Sequence, residues 1–260
     1  WPRIAAVGAC GQMHGTVLLD ADGELVVDRA MLWNDKRAQP QVARFSHQQP
    51  PQPWLELLNN PPTAAWPAFK LAWLREHHPS QWERIATVLM PKDYVNFRLC
   101  GVRATDYSEA SCYYLMDSAT LQWSPEALRQ FGLRADQLPA IHLSSEVIGH
   151  ITPAAASATG LPQGVPVVAG TADMAATLLG SGVYQAGIAS DSTGTSTLLT
   201  VVSAHPLLSA SVNNLHLANS AWGGFTLLDA GGDAMRWARS ALSAGQLSHQ
   251  QMLDMAAEVP

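Results

Sequence analysis

Residues 167–182, VVAGTADMAATLLGSG, are small and apolar almost throughout, and a single carboxylate, Asp173, stands in the middle of them. The run from Val165 to Gly170 has the composition of a buried strand, and Ala175-Ala176-Thr177-Leu178 reads as the helix that follows. A carboxylate near a helix N-terminus is favoured by the helix dipole and the free backbone N–H groups, typically by about 0.3–1 kcal/mol. A capping role alone would explain the acid. It would not explain Gly170, Ala172, Ala175 and Ala176 around it, because a cap needs no small neighbours, whereas a ligand or a second backbone approaching closely does. A strand end opening onto a helix is also where α/β sheets place their sites. Asp173 is therefore the first candidate for chemistry.

The rest of the chain bounds what that chemistry serves. With 260 residues at 47% hydrophobic, it can bury one sizeable core or two smaller ones. A net charge of −6 with scattered basic residues argues against nucleic acid or an anionic membrane as partner. Cys10, Cys100 and Cys112 have no CxxC spacing and leave an odd thiol, which argues against a disulfide framework and a zinc site; no metal ligand is nominated, and a reducing cytoplasm fits. No apolar run approaches the roughly 20 residues of a membrane span. The opening WPRIAAVGAC has no signal-peptide regions and no initiator Met, so an excerpt from a longer protein is expected.

Strand-like runs (Ile4 to Ala9, Thr16 to Leu19, Val167 to Ala169) alternate with helical spacing, which predicts an α/β fold. Asp22-Gly23 signals a hairpin and some antiparallel pairing. Ala65 to His77 reads as a helix closed by His78-Pro79, and WERIATVLMPKDYVNFRLCG as a short helix, a strand Thr87 to Met90, and a helix opened by Pro91 and ended by Gly101. Gln48 to Pro53 reads as a Pro-rich surface loop, and the segment from Pro153 to the next strand as turns. Beyond Asp173, GIASDSTGTSTLLTVV reads as a hairpin and GGFTLLDAGGDAMRWARSAL as strand, glycine turn and helix. A domain boundary is expected near Gly180 to Gln185.

Three further places invite a functional reading. In GACGQMHGTVLLDADG a strand runs into Gly11-Gln12-Met13-His14-Gly15, where Gln12 and His14 offer hydrogen bonds to a polyhydroxylated ligand, or where the histidine is simply satisfied within a turn. In MLWNDKRAQ, Asn34 is a good N-cap for a helix, and Asn34, Asp35 or Arg37 facing a ligand is the other reading. Asp191-Ser192-Thr193-Gly194-Thr195-Ser196 sets one glycine and four hydroxyls between apolar runs, a turn whose donors suit an anion. It is no Walker A loop, since no GK[ST] follows.

Taken together, GQMHG with its hairpin and LWND, then MPKDY, RLCG and ATDYSEAS, then GTADMAATLLGSGV and STGTST, resemble in order and spacing the FGGY carbohydrate kinase family, its xylulokinase branch most closely. LLDAGGDAMRW resembles the opening of that family's second domain. The resemblance implies an actin-like (ribonuclease H-like) ATPase fold, with 1–182 the remainder of the sugar-binding domain and 183–260 the start of the nucleotide-binding domain. It implies ATP-dependent phosphorylation of a sugar hydroxyl, with a ketopentose such as D-xylulose as substrate and with ATP and Mg²⁺ as cofactors. Asp173 matches the general base; Gln12, Met13, His14 and Met174 fall at sugar contacts; Thr193, Gly194, Thr195 and Ser196 match the phosphate-contacting turn. A homodimer is compatible with it, and a hinge is expected near Gly180 to Gly187.

Departures accompany the matches. Met174 stands where the xylulokinase pattern has Asn, which shifts the expectation toward another ketose or polyol. The family's DxGT turn would lie before Trp1 and its adenosine motif beyond Pro260, so poor or no turnover is expected of this chain alone. A non-catalytic sugar-binding or regulatory relative is the alternative; a hydrolase is disfavoured because no GxSxG elbow occurs.

Overall fold

The computed structural model describes residues 3–228 and 230–259. Trp1, Pro2 and Pro260 at the quoted ends, and Asp229 of LLDAGGDAMRW, lie outside the described residues. The fold is α/β, as the mixed periodicity predicts. Strand Val7–Gly11 pairs in parallel with Pro166–Ala172, which pairs on its other side, antiparallel, with Val147–His150. Parallel pairing puts Gly11 opposite Ala172, so Gln12–His14 and Asp173 leave the sheet at the same end.

The register between the two parallel strands slips between Gly8 and Cys10, where Ala9 faces two residues, Ala169 and Gly170, the latter at φ 72°. Only glycine fits there. An added Cβ would overlap the carbonyl oxygen of Ala9, and the left-handed conformation is strained for other residues. The kink turns the Ala169 carbonyl toward helix Pro91–Cys100, where Lys92 Nζ (2.9 Å) and Asn96 Nδ2 (2.8 Å) donate to it.

Helix Pro67–His77 is buried nearly all round, with Phe69, Lys70 and Leu71 at zero exposure, so it is the central helix of the core rather than an amphipathic surface one. Phe45, Trp66, Tyr114 and Phe131 pack around it in one cluster that continues through Ala172, Met174 and Leu178 to Val202, Leu215 and Phe225. Those last three lie on a second sheet. Its order is Ala189–Thr193, Thr197–Ser203, Trp222–Leu228, Asn213–His216, all antiparallel. The edge strand Asn213–His216 is stitched back to the first half of the chain: the Asn214 N–H donates to Asn60 Oδ1 (2.7 Å), Asn60 Nδ2 to the Asn214 carbonyl (3.1 Å), and the His216 N–H to Ser111 Oγ (3.0 Å).

Four local expectations are corrected. Asn34 caps nothing: residues 31–38 form turns, and the helix begins at Gln39 with Pro40 in its first turn. The Pro-rich stretch is not all loop, because Pro51 opens helix Pro51–Leu58. Pro153 likewise opens a helix, Pro153–Thr159, capped by the Thr152 hydroxyl and ended by Gly160 at φ 74°. The Asp22-Gly23 turn forms, but its return arm is a single bridge, Leu19 to Leu25, and Val17–Leu19 takes its antiparallel partner from Thr87–Leu89 instead. Cys10, Cys100 and Cys112 are free, and no helix among the described residues is long and apolar enough to cross a membrane.

Candidate active site

Asp173 is the first residue of helix Asp173–Gly180, directly after the strand. Its side chain makes no N-cap bond in the usual sense; Oδ1 accepts the adjacent Met174 N–H at 2.7 Å, and the Met13 N–H at the neighbouring strand end also favours the charged carboxylate. The side chain is open to a cavity, yet the surrounding protein raises its pKa through desolvation, against the lowering pull of those N–H groups.

The cavity has a volume of about 420 Å³, within the range of small-molecule sites. One wall is Gln12, Met13, His14, Asp173 and Met174. The facing wall comes from the second sheet and its turn, with Ser192, Gly194, Ser196 and Phe225. Sequence-nominated residues 160 positions apart thus meet in one space.

His14 is held in a left-handed conformation at φ 67°, unusual for histidine, and is 8% exposed. Gly15 beside it packs on Pro91 so closely that a Cβ would collide with the ring. Trp66 meets the imidazole edge-on at 4.7 Å, the His14 N–H points to Met90 Sδ, and Lys70 Nζ donates to the His14 carbonyl at 2.6 Å. Every neighbour holds the ring and its backbone in place, but Nε2 has no hydrogen-bond partner. Burial, assisted by the Lys70 charge, depresses the imidazole pKa to about 3, so His14 is neutral at physiological pH.

The hydroxyl-rich turn divides. Gly194 and Ser196 line the cavity. The Thr193 hydroxyl instead donates to Asp191 Oδ1 (2.7 Å) and lies 3.1 Å from Thr197 Oγ1, and Thr195 Oγ1 accepts from Arg236 at 3.4 Å. The turn is packed against the start of helix Gly232–Ser243, where the Gly232 N–H donates to the Gly194 carbonyl and the Asp233 N–H to the Thr195 carbonyl.

Of the LWND segment, the cavity takes Trp33 and none of Asn34, Asp35 and Arg37. Asp35 is occupied by Arg37 Nε at 2.9 Å, and that guanidinium stacks on Trp73. Trp33, Thr177, Leu178, Ser190, Leu198, Thr200, Phe225 and Leu227 also line the cavity without having been nominated from sequence. Thr177 lies one helical turn after Asp173, a spacing that could have found it.

Behind the wall lies a buried charged cluster drawn from the MPKDY and ATDYSEAS segments. Lys92 Nζ is 2.6 Å from Asp93 Oδ1 and 3.1 Å from Asp106 Oδ1, all three side chains at zero exposure. Glu109 is equally buried, and neither carboxyl oxygen has a hydrogen-bond partner. Burial first, then the Asp93 charge, raises its pKa well above the usual carboxylate value. Among the described residues no three His, Cys, Asp or Glu side chains gather as a metal cage, and Asp173 is the carboxylate that faces the cavity.

Residues 2–180 match the N-terminal domain of the FGGY family of carbohydrate kinases. The chain belongs to that family. Among relatives of this FGGY member, the xylulose kinase of Bacillus subtilis (strain 168) is 37% identical over 193 residues, 74% of this chain and 38% of its own length, and that of Escherichia coli (strain K12) is 38% identical over 200 residues, 77% and 40% respectively. The chain therefore spans about two fifths of the length of these curated relatives. The crystal structure of xylulose kinase from Rhodospirillum rubrum superposes on 97% of this FGGY chain with a TM-score of 0.91 at 28% identity, covering 53% of that structure. The actin-like ATPase fold follows from that superposition.

Proposed function

We propose that the protein containing this chain transfers a phosphoryl group from ATP to a sugar hydroxyl, with a ketopentose such as D-xylulose as substrate. One observation carries the reading: a cavity-facing carboxylate, Asp173, stands in the same space as neutral His14 on one side and Gly194 and Ser196 on the other. The printed activity of the relatives, xylulose kinase, supports the sugar class.

On this reading Asp173 accepts the proton of the attacking hydroxyl as that oxygen bonds to the γ-phosphorus and the bond to the leaving ADP oxygen breaks. The His14 imidazole hydrogen-bonds a second sugar hydroxyl, and being neutral it can accept or donate according to its tautomer. Trp33, Met13 and Met174 give the sugar's C–H faces apolar walls. Gly194 and Ser196 direct backbone and hydroxyl groups at the transferred phosphoryl; Thr193 and Thr195 serve by holding the turn. Mg²⁺, carried in with the nucleotide, would neutralise charge on the phosphates. Residues 1–182 would form the sugar-binding domain and 183–260 the beginning of the nucleotide-binding one. The end of the family match at residue 180 and the start of a new sheet at Ala189 support that division.

The test is ADP release by the full-length protein with Mg-ATP and a panel of ketopentoses, ketohexoses and polyols. D-Xylulose or a close ketose is expected to stimulate release, Asp173→Asn to reduce it by several orders of magnitude with sugar affinity retained, and the acid limb of kcat to be displaced upward from the ordinary aspartate value, because the base works only when ionised and burial raises its pKa. Sugar binding without ADP release from the folded protein would turn the reading to a non-catalytic relative.

A further inference from the structure

We propose that Ser108 is a positioning residue for Asp173, fixing the peptide that carries the carboxylate through a buried hydroxyl anchored on the Lys92–Asp106 ion pair. The proposal rests on Asp173 being the base. Ser108 is 1% exposed and lies on the short helix Tyr107–Ala110, whose N-cap is Asp106. Its hydroxyl has one proton to give, and Asp106 Oδ2 takes it at 2.6 Å. The lone pairs are then left to accept, and the Ala172 N–H donates to them at 2.9 Å, with Thr171 Oγ1 a further 2.9 Å contact.

Ala172 immediately precedes Asp173, and its N–H needs this partner. Strand Val147–His150 reaches only to Val168, and the carbonyls of Glu146 and Ser144 serve the N–H groups of Ala169 and Gly170 beyond it. By Ala172 that side of the strand has no backbone neighbour, and Ser108 Oγ fills the place. The hydroxyl cannot rotate away cheaply, because Asp106 is fixed by Ser144 Oγ (2.8 Å), by the Ser108 N–H (3.0 Å) and by Lys92. Lys92 also holds the Ala169 carbonyl. The strand end is thus gripped on both sides of the Gly170 kink, by Lys92 before it and by Ser108 after it. Phosphoryl transfer depends on in-line placement, and a displacement near 1 Å can cost about 100-fold in rate.

The experiment is a double-substitution cycle in the full-length protein, with ADP release as readout and sugar affinity measured separately by calorimetry. Ser108→Ala is expected to lower kcat by about 10- to 100-fold while KM and Kd for the sugar move less than about threefold. In the Asp173→Asn background the same change is expected to cost nothing further, because a group acting only through Asp173 has nothing left to position. Should Ser108→Ala fail to fold, Ser108→Cys, which keeps the size with a weaker acceptor, is measured in the same way. An undiminished kcat in the single variant, or an equal loss in the Asp173→Asn background, overturns the proposal while leaving the base intact. Full turnover by Asp173→Asn overturns the base reading, and this proposal with it.

Discussion

His14 shows how a residue's surroundings set its chemistry. Its backbone is strained, its ring meets Trp66 edge-on, its N–H is held by Met90, and its Nε2 is unpaired. Strain and an unpaired buried polar atom both cost stability and persist where function needs them. His14→Ala is expected to raise the sugar Kd at least tenfold with a smaller change in kcat; an unchanged Kd by calorimetry would remove it from the site. The ring also makes stability pH-dependent. As pH falls from about 6.5 the unfolded chain binds a proton that the folded ring refuses until about 3, so the stabilising effect of this neutral ring is complete above 6.5 and is lost progressively down to about 3. Urea titrations of His14→Gln across that window should show the variant gaining on the original by up to about 1.4 kcal/mol per pH unit. Asp173 and His14 could be nominated from sequence because their neighbours are glycine and alanine, which leave space. The roles of Lys92, Asp106 and Ser108 could not, since KDY and TDYS do not reveal that residues 77 and 64 positions away complete their hydrogen bonds.

At the level of elements, the parallel pairing of Val7–Gly11 with Pro166–Ala172 sets the site, and Gly170 sets the pairing. Gly170→Ala combines a left-handed backbone with an overlap on Ala9, so it is expected to destabilise by more than about 2 kcal/mol in urea unfolding and to lower kcat along with it. Strands and helices with strong periodicity or paired end signals were legible: Pro91 and Gly101 bracket their helix as read. The misses share one cause. Proline at the first turn of a helix and proline in a loop look alike in sequence, and at Pro51 and Pro153 the flanking residues, Thr152 above all, turned it into a helix start. Asn34 failed as a cap because the helix it was assigned to begins five residues later, at Gln39, so it has no free N–H groups to serve.

Across the whole molecule, the second sheet is tied to the first half of the chain by the covalent passage between Gly180 and Ala189, by the asparagine seam at Asn59, Asn60 and Asn214, by the His216–Ser111 hydrogen bond, and by the core packing of Val202, Leu215 and Phe225. The passage was visible as a glycine-rich change of character; the seam was not, because it joins residues 154 apart. Native-state hydrogen exchange should find the amides of Asn213–His216, buried and paired on both sides, among the slowest of this sheet and those of Ala189–Thr193 among the fastest; equal protection would mean the sheet moves as one rigid plate. The inner strands are held in the core through Val202 and Phe225, and the exposed outer strand, Ala189–Thr193, is the free end of a lever. With Asn214 as fulcrum, three interstrand spacings put Ser192 about 14 Å out on the arm, so a turn of about 10° carries it about 2.5 Å. A small rotation of the sheet therefore shifts Ser192, on the outer strand of the cavity wall, far more than Phe225, which the core holds, or the residues at the pivot.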